Sequence, residues 1–288
     1  MQATATANLW ERRRVRTTLS NGLAYLLLTA LGVLFALPFI WMLSASLKVE
    51  ADIWTYPPVW IPNPVLWSNY PEALALMKFS RLLYNTVLIT GLSMVGTLLS
   101  CTWVVYGFAR FRFPGRDLLF VLLLATMMLP AQVTMIPLFI LFRDLGWLNT
   151  FLPLIVPAFF GNAFFIFLLR QFFMTIPTEL DDAAKIDGCS YIGIWWRILL
   201  PLTKPALAAV AIFAFIGNWN DFLFPLIYLN DEAKFTLTLG LATFRGVYST
   251  QWAYLMAASV VVLLPCLIVF FLAQKQFVEG ITFAGLQG

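Results

Sequence analysis

Six long apolar stretches limit the folds that this chain can adopt more than any other feature of its sequence. A helix needs about 20 predominantly apolar residues to cross the hydrocarbon core of a bilayer, and each stretch is at least about that long. Inside lipid the backbone must satisfy its own hydrogen bonds, so such stretches form membrane-spanning helices. We predict spans at 22–47, 82–108, 117–142, 149–173, 204–229 and 253–273.

The composition indicates a membrane protein without a separate soluble domain. Hydrophobic residues make up 61% of the 288 residues and charged residues only 11%, whereas a soluble domain has roughly 45–50% and about 25%. We therefore predict an all-α, polytopic membrane protein that forms a single domain over residues 1–288, with six transmembrane helices. The predicted parts outside the spans include an N-terminal segment, a large outer loop, an inner segment between spans four and five and a tail, at 1–21, 48–81, 177–201 and 275–288.

The basic residues orient the predicted spans. If the N-terminus is inside, twelve of the 18 Lys and Arg residues fall in inner segments, mostly in short loops, where the positive-inside rule works best. Both termini are therefore predicted to be cytoplasmic. The arginines between Arg12 and Arg16 precede an apolar stretch that exceeds the roughly 7–15 residues of a signal-peptide core, so this stretch is predicted to be an uncleaved span.

Missing residue types exclude several kinds of site. The chain has no histidine, which removes His-ligated metals and His-activated nucleophiles. Its three cysteines are scattered without metal or disulfide spacing, and no GxxxxGK[ST] phosphate loop occurs. The net charge of +4 is explained by helix orientation rather than by nucleic-acid binding. We predict no catalytic residue, no metal site and no cofactor bound by this chain.

The predicted outer loop is rich in proline and aromatic residues. Proline at this density prevents a regular helix, and Trp and Tyr favour the membrane–water interface. Two compatible interpretations are a loop that lies along the membrane surface and a platform for an external partner. The residues concerned are Trp54, Tyr56, Pro57, Pro58, Trp60, Pro62, Pro64, Trp67 and Tyr70.

The longest inner loop, between spans four and five, begins with the pattern of a short polar helix. Thr178 with Asp181 is close to a capping box, acidic residues crowd the first turn, and Gly188 is a natural stop. One narrow face of this helix has small residues at its centre, so a partner protein can approach its backbone closely. The face consists of Leu180, Ala183, Ala184 and Asp187, at i, i+3, i+4, i+7 spacing.

A second helix is predicted directly after the glycine. Ser190 can cap it, it covers 191–200, and Pro201 ends it. The loop is therefore predicted to be a polar helix, a glycine corner and an apolar helix that returns to the bilayer.

This segment resembles the cytoplasmic signature of ABC importer permeases, EAA-x3-G-x9-I-x-L-P. The chain has Asp182-Ala183-Ala184, three residues, Gly188, nine residues, Ile198, one residue, Leu200 and Pro201. The spacing matches at every position, and the one departure is an aspartate where the family has glutamate.

Other motifs are similar to the carbohydrate branch of the same family. They are 44–48 (SASLK), 106–110 (YGFAR), 219–222 (WNDF), 225–226 (PL) and a C-terminal tail from Phe277 to Gly288, in which Gln287 replaces the usual penultimate lysine. The resemblance covers most of the chain, from about Trp41 to the end.

The resemblance implies a permease subunit of a carbohydrate importer in the inner membrane of a bacterium or archaeon. The implied partners are a second homologous permease, two ATPase subunits that bind ATP and Mg, an extracytoplasmic solute-binding protein and membrane lipid, but no nucleic acid. The residues assigned to ATPase coupling are Glu179, Leu180, Asp182, Ala183, Ala184, Asp187 and Gly188.

A few polar residues within the spans are candidates for the solute pathway, because polar groups in a membrane usually face the bundle interior or a cavity. Amides, a carboxylate and an aromatic face suit a sugar, whereas the alternative interpretation is hydrogen bonding between helices. The candidates are Asn85, Gln132, Asn162, Asn218, Trp219, Asn220 and Asp221.

Three other functions are weighed against the sugar permease. The first is a permease for a non-sugar solute such as glycerol phosphate. The second is a secondary transporter, which needs coupling-ion carboxylates near the midplane and usually has internal repeats; Asp221 is the only acid inside a span away from its ends, and no repeat is evident. The third, an intramembrane enzyme, is disfavoured because the chain has neither histidine nor a clustered pair of acids.

Overall fold

A computed structural model describes the backbone of residues 2–246 and 250–285 and the side chains of residues 20–246 and 250–274. Every element in these ranges is helical. The α-helices are α1 (Gln2–Ser46), α2 (Asn69–Leu76), α3 (Phe79–Arg110), α4 (Arg116–Thr126), α5 (Ala131–Asp144), α6 (Leu152–Ile155), α7 (Ala163–Phe173), α8 (Glu179–Ile186), α9 (Tyr191–Ile194), α10 (Leu200–Leu202), α11 (Lys204–Trp219), α12 (Leu223–Tyr228), α13 (Leu237–Thr243) and α14 (Trp252–Gly285). Short 3₁₀ turns cover Glu50–Asp52, Val156–Phe160 and Glu232–Lys234, and a π-helical turn covers Trp195–Leu199.

Within the part of the chain that the structure describes, four helical segments are long and apolar enough to cross a bilayer, and the number rises to six when each of two bent helix pairs is taken as one span. The four are Ser20–Ser46, Phe79–Arg110, Leu152–Phe173 and Trp252–Gln274. The bent pairs are α4 with α5, at 96°, and Tyr191–Leu202 with α11, at 81°. The predicted all-helical, multi-span architecture is confirmed, whereas a count of six stays a prediction.

The third and fifth predicted spans are interrupted rather than continuous. α4 ends at Thr126 and α5 begins after Pro130, a residue that lacks the N–H needed to continue a helix. α11 has 16 residues, a length of about 24 Å that falls short of the roughly 30 Å hydrocarbon core. Apolar patterning therefore located these spans, but it showed neither the bend within the third nor the end of α11 inside the fifth.

The chain forms two compact units, of which the first comprises Met1–Ala73 and Thr250–Val260. In this unit the carboxylate of Glu50 accepts hydrogen bonds from the backbone N–H groups of Trp252 and Ala253, both at 2.9 Å. These bonds satisfy two donors in the first turn of α14 and place a negative charge at the positive end of its dipole. The outer loop thus supplies the cap of the last helix.

The start of the outer loop is held against the end of α1. The side-chain amide of Asn69 donates to the carbonyl oxygens of Ser46 and Lys48, both at 2.9 Å. The Lys48 side chain is buried, donates to the carbonyl oxygen of Val59 and lies 4.2 Å from the centroid of the Trp41 ring. A buried ammonium needs such partners, so these contacts fix the path of the loop.

The second unit, Leu74–Ser249 with Val261–Gly288, is organised around α3. This helix packs against α7, α11, α13 and the 3₁₀ turn Val156–Phe160. The hydrophobic core of the unit includes Val105, Tyr106, Phe120, Leu169, Phe173, Ile194, Leu199 and Val210.

Hydroxyl groups of α3 satisfy the backbone of the fourth predicted span where it is irregular. The Ser93 hydroxyl donates to the carbonyl oxygen of Leu154 at 3.0 Å, and the Ser100 hydroxyl donates to that of Ala158 at 2.9 Å. Lipid offers no hydrogen bonds, so irregular backbone at membrane depth needs partners from the protein. α3 supplies them from within the bundle.

The predicted N-terminal segment (1–21) and tail (275–288) fall largely outside the described side chains. Their backbone belongs to α1 from residue 2 and to α14 as far as residue 285. Gln287 lies outside the described residues.

Candidate functional site

α8 forms the first helix of the predicted inner segment, with Glu179, Asp181 and Asp182 in its first turn. Thr178 occupies the N-cap position, but its side chain makes no capping bond, so the predicted capping box with Asp181 does not form. The reason is that the Asp181 carboxylate turns inward. Its Oδ2 lies 2.9 Å from Nε of Arg110, the last residue of α3.

The ion pair between Arg110 and Asp181 fixes α8 to the end of α3. The two side chains are only 5% and 8% exposed, and a terminal nitrogen of Arg110 also donates to the carbonyl oxygen of Ile176 at 3.0 Å. Burial raises the pKa of the Asp181 carboxyl, and the Arg110 charge opposes that rise. Sequence reasoning missed this pair; its only signal was that Arg110 ends one of the family-like motifs.

Gly188 ends α8 in the left-handed region, with φ of +78°, as predicted. Its N–H donates to the carbonyl oxygen of Lys185 at 3.0 Å, and the N–H of Cys189 donates to that of Ala184 at 2.9 Å. These bonds satisfy carbonyls at the helix end. Apart from its neighbours in the chain, no described residue has a heavy atom within 4 Å of the position of a Cβ at Gly188. The glycine is therefore needed for the left-handed backbone conformation and not for a close approach.

The second helix begins as predicted, because the Ser190 hydroxyl accepts a hydrogen bond from the Gly193 N–H at 3.2 Å. Pro201 does not end it: the helix continues through α9 and the π turn to the end of α10. Pro201 directly follows the π turn Trp195–Leu199, an irregularity of the kind that accompanies a proline, which lacks a backbone N–H. Trp195 of the π turn packs edge-to-face on Trp103 of α3, with ring centroids 5.0 Å apart, so this helix is also anchored on α3.

The exposed side of α8 differs from the face that spacing predicted. Leu180 and Ile186 are 42% and 86% exposed, whereas Ala184 is only 7% exposed and packs into the core of the second unit. Asp182 pairs with Lys185 on the surface at 3.0 Å. Ala184 therefore packs α8 against the second unit. This corrects the prediction that it lies on the exposed face of the helix. The other predicted coupling residues, Glu179, Ala183, Asp187 and Gly188, are exposed.

Two of the seven predicted pathway residues are buried within the second unit. Nδ2 of Asn85 donates to the carbonyl oxygens of Ala233 and Phe235, at 3.0 and 2.9 Å. Nε1 of Trp219 donates to the carbonyl oxygen of Val262 at 3.1 Å, and both side chains are buried. For Asn85 and Trp219, these bonds favour the alternative interpretation, in which polar residues of the spans hydrogen-bond to other parts of the fold instead of contacting a solute.

The other five predicted pathway residues are exposed or half-buried. Oδ1 of Asn162 accepts from two backbone N–H groups, at 3.0 and 3.3 Å, and so caps α7. The amides of Asn218 and Asn220 donate to carbonyl oxygens one turn earlier in α11, at 2.7 and 2.9 Å. Gln132 is exposed in the first turn of α5, and Asp221 is half-buried between α11 and α12. Contact of these five with a solute stays a prediction.

Residues 102–282 match the family model for the binding-protein-dependent transport system inner membrane component. The matched region includes α8, the Gly188 corner and the helix that follows. This chain belongs to that family. As an inner-membrane component with several apolar helices, it is a multi-pass membrane protein.

Curated members of the transport-component family cover most of this chain. It is 35% identical over 261 residues to the probable ABC transporter permease protein YurM of Bacillus subtilis, across 89% of this chain and 85% of that protein. It is 40% identical over 204 residues to the arabinooligosaccharides transport system permease protein AraQ of Halalkalibacterium halodurans, across 71% of this chain and 73% of that protein.

A solved structure shares the fold of this family member. The crystal structure of a bacterial ABC transporter involved in the import of the acidic polysaccharide alginate contains a chain that superposes with a TM-score of 0.78 at 26% identity. The likeness covers 88% of this chain and 94% of that chain. The helical fold is therefore that of a chain in an ABC importer.

Proposed function

We propose that this chain is a permease subunit of an ABC importer for a carbohydrate and that α8 docks it on an ATPase subunit. The main support is the signature-spaced segment, which folds as a helix, a Gly188 corner and a second helix, with Leu180 and Ile186 exposed and Ala184 held in the core. The relatives named for arabinooligosaccharide transport and alginate import support a carbohydrate as the solute.

In the proposed assembly this chain pairs with a second homologous permease, binds two ATPase subunits in the cytoplasm and receives solute from an extracytoplasmic binding protein. We propose that it crosses the membrane six times as a single domain, with both termini cytoplasmic, and that α4 with α5 counts as one span. ATP and Mg bind to the ATPase subunits, and this chain catalyses no reaction. Family membership supports the ATPase and the binding protein as partners.

The geometry of α8 suits the transmission of a rigid-body motion. Leu180 and Ile186 offer an apolar contact for a groove on the ATPase, and the exposed carboxylate of Asp187 can meet a basic group there. Because the buried pair of Arg110 and Asp181 ties α8 to α3, a push on α8 moves the end of a long helix. Closure of the ATPase subunits can then switch the pathway between outward and inward access.

Ile186→Ser tests the docking role. In a reconstituted transporter with its ATPase, second permease and binding protein, we expect ATPase activity stimulated by the binding protein to fall about tenfold or more. The reason is that burial of one Ile side chain in an interface is worth about 1.5–3 kcal/mol. Thermal unfolding of the chain should not change, because Ile186 is 86% exposed.

Met174→Ser is the matched control, since Met174 is 56% exposed and directly follows α7, outside the proposed docking helix. An equal loss of stimulated activity in both variants, or no loss with Ile186→Ser, would overturn the docking proposal. The solute is tested by uptake with a panel of neutral and acidic oligosaccharides and with glycerol phosphate. Uptake of glycerol phosphate alone would overturn the carbohydrate, and uptake without any ATPase subunit would indicate a secondary transporter.

A further inference from the structure

A basic cavity opens at the connection between α3 and α4, and the proposed transport role makes no use of it. Its volume is about 510 Å³, and its lining residues are Arg112, Phe113, Gly115, Arg116, Asp117 and Leu118. It begins two residues after Arg110, whose ion pair joins this end of α3 to α8. The cavity therefore lies at the same end of α3 as α8.

The charges around the cavity are mainly positive. Nε of Arg116 pairs with Oδ1 of Asp117 at 2.9 Å, whereas exposed Arg112 has no ion-pair partner among the described residues. Behind α4, the guanidinium of Arg170 lies 4.1 Å from the centroid of the Phe120 ring, and its charge interacts with those of Arg116 and Asp117. Three arginines against one carboxylate leave a net charge of +2, which favours an anion.

Arg170 adds a half-buried positive charge whose hydrogen-bonding capacity is not fully used. Its Nε is inaccessible to solvent and has no hydrogen-bond acceptor among the described residues. A partly desolvated cation of this kind is stabilised by a nearby anion. An anionic group bound beside Arg116 would supply one.

An exposed apolar strip continues from the cavity along α4. Leu118, Leu119, Val121 and Leu122 are between 50% and 65% exposed. α4 forms part of a helix pair that is apolar enough to cross a bilayer, so this strip lies at the depth of acyl chains. A polar, basic cavity that leads into an apolar strip matches the two ends of a phospholipid.

We infer that the cavity binds the headgroup of an anionic phospholipid, with the phosphate between Arg112 and Arg116 and the acyl chains along α4. Guanidinium groups bind phosphate oxygens through paired hydrogen bonds, and basic pockets at the cytoplasmic edge of a membrane attract anionic lipids. A free phosphate would gain only the headgroup contacts, whereas a lipid also covers the strip on α4. Only the choice of the cytoplasmic leaflet rests on the proposed orientation.

Lipid titration of the purified full-length chain tests the site independently of transport. Palmitoyl-oleoyl phosphatidylglycerol is added to the chain in detergent, and bound lipid is counted by native mass spectrometry. We expect Arg112→Gln and Arg116→Gln each to weaken binding about fivefold. Phosphatidylcholine should bind more weakly than phosphatidylglycerol to the unaltered chain. Thermal unfolding of both variants should stay close to that of the unaltered chain, because Arg112 has no ion-pair partner among the described residues and the solvent-accessible pair of Arg116 with Asp117 contributes little stability.

Arg197→Gln provides a matched control, because it removes the same charge from an exposed residue of the helix that follows Gly188, outside the cavity lining. We expect this variant to bind phosphatidylglycerol as the unaltered chain does. An equal loss with Arg197→Gln would mean diffuse attraction and would overturn the site. Equal binding of the two lipids would also overturn it, as would binding of glycerophosphoglycerol, the headgroup without acyl chains, as tight as that of the lipid.

Discussion

At the residue scale, Arg110 and Asp181 form the buried ion pair that anchors the candidate docking helix. A carboxylate in the first turn of α8 was expected to cap the helix, but it lies instead in a buried ion pair with a residue of α3. Truncating one member of such a pair leaves the other charge buried without a partner, which costs more than the pair contributes in net terms. The pair therefore determines the position of α8 more than it raises the stability of the fold.

Arg110→Met is expected to lower the free energy of unfolding by about 3–5 kcal/mol, as measured by denaturant unfolding in mixed micelles. The double variant Arg110→Met, Asp181→Leu should recover much of that loss, because no unpaired charge is left. In the single variant the loss should shrink as the pH falls, since burial raises the pKa of Asp181 and protonation neutralises it. If the double variant lost as much free energy of unfolding as the single variants Arg110→Met and Asp181→Leu lose together, this account would be contradicted.

Substitutions at Gly188 should depend on backbone conformation and not on volume. The residue has φ of +78° and open space around it, and asparagine tolerates this region better than β-branched residues do. We expect Gly188→Val to destabilise the chain by about 1–2 kcal/mol and Gly188→Asn by clearly less, measured as thermal unfolding. Equal losses would mean that side-chain volume matters here.

At the scale of whole elements, α3 is the helix on which the irregular parts of the second unit are built. Its hydroxyl groups satisfy carbonyls of the broken fourth span, and a Cβ at Gly96 would lie 2.6 Å from the ring of Phe159 in that span. The close approach and the hydrogen bonds depend on each other, because a hydroxyl reaches a neighbouring backbone only when the helices are near. α3 thus allows a transport subunit to interrupt a span with a 3₁₀ turn at membrane depth.

Ser93→Ala together with Ser100→Ala should reduce stability by about 1–4 kcal/mol, since an interhelical hydrogen bond in a membrane is worth about 0.6–2 kcal/mol. The measurement is unfolding in mixed micelles. Ser80→Ala is the control, because Ser80 lies exposed at the start of the same helix. If the control lost as much stability as the double variant, the effect would not come from the hydrogen bonds to the fourth span.

At the scale of the molecule, the proposed orientation of the chain rests on the distribution of its basic residues. The proposal predicts that residues of the outer loop and of α8 are accessible from opposite sides of the bilayer. Ile61 and Ile186 are suitable reporters because both side chains are largely exposed.

Single cysteines at these two positions test the orientation. The test uses a chain whose three native cysteines are replaced by alanine, in cells whose inner membrane is intact and whose outer membrane, if present, has been permeabilised. There Ile61→Cys should react with a membrane-impermeant maleimide. Ile186→Cys should react only after the inner membrane is opened. Labelling of both from outside would contradict the six-span topology with cytoplasmic termini.

The sequence by itself determined the properties that depend on local chemistry. Long apolar runs specify helices in lipid, a glycine specifies the left-handed end of α8, and Ser190 specifies the start of the next helix. Signature spacing identified the family before any fold was known, because it is a property of the linear chain.

Only the tertiary structure decided which side of each helix faces outward and where each polar group finds its partner. Ala184 lies in the core although it shares a helical stripe with exposed Leu180, and Asn85 and Trp219 bond to carbonyls far along the chain. Asp181 likewise pairs with Arg110 from another helix. Such contacts join residues that are distant in sequence, so no local pattern encodes them.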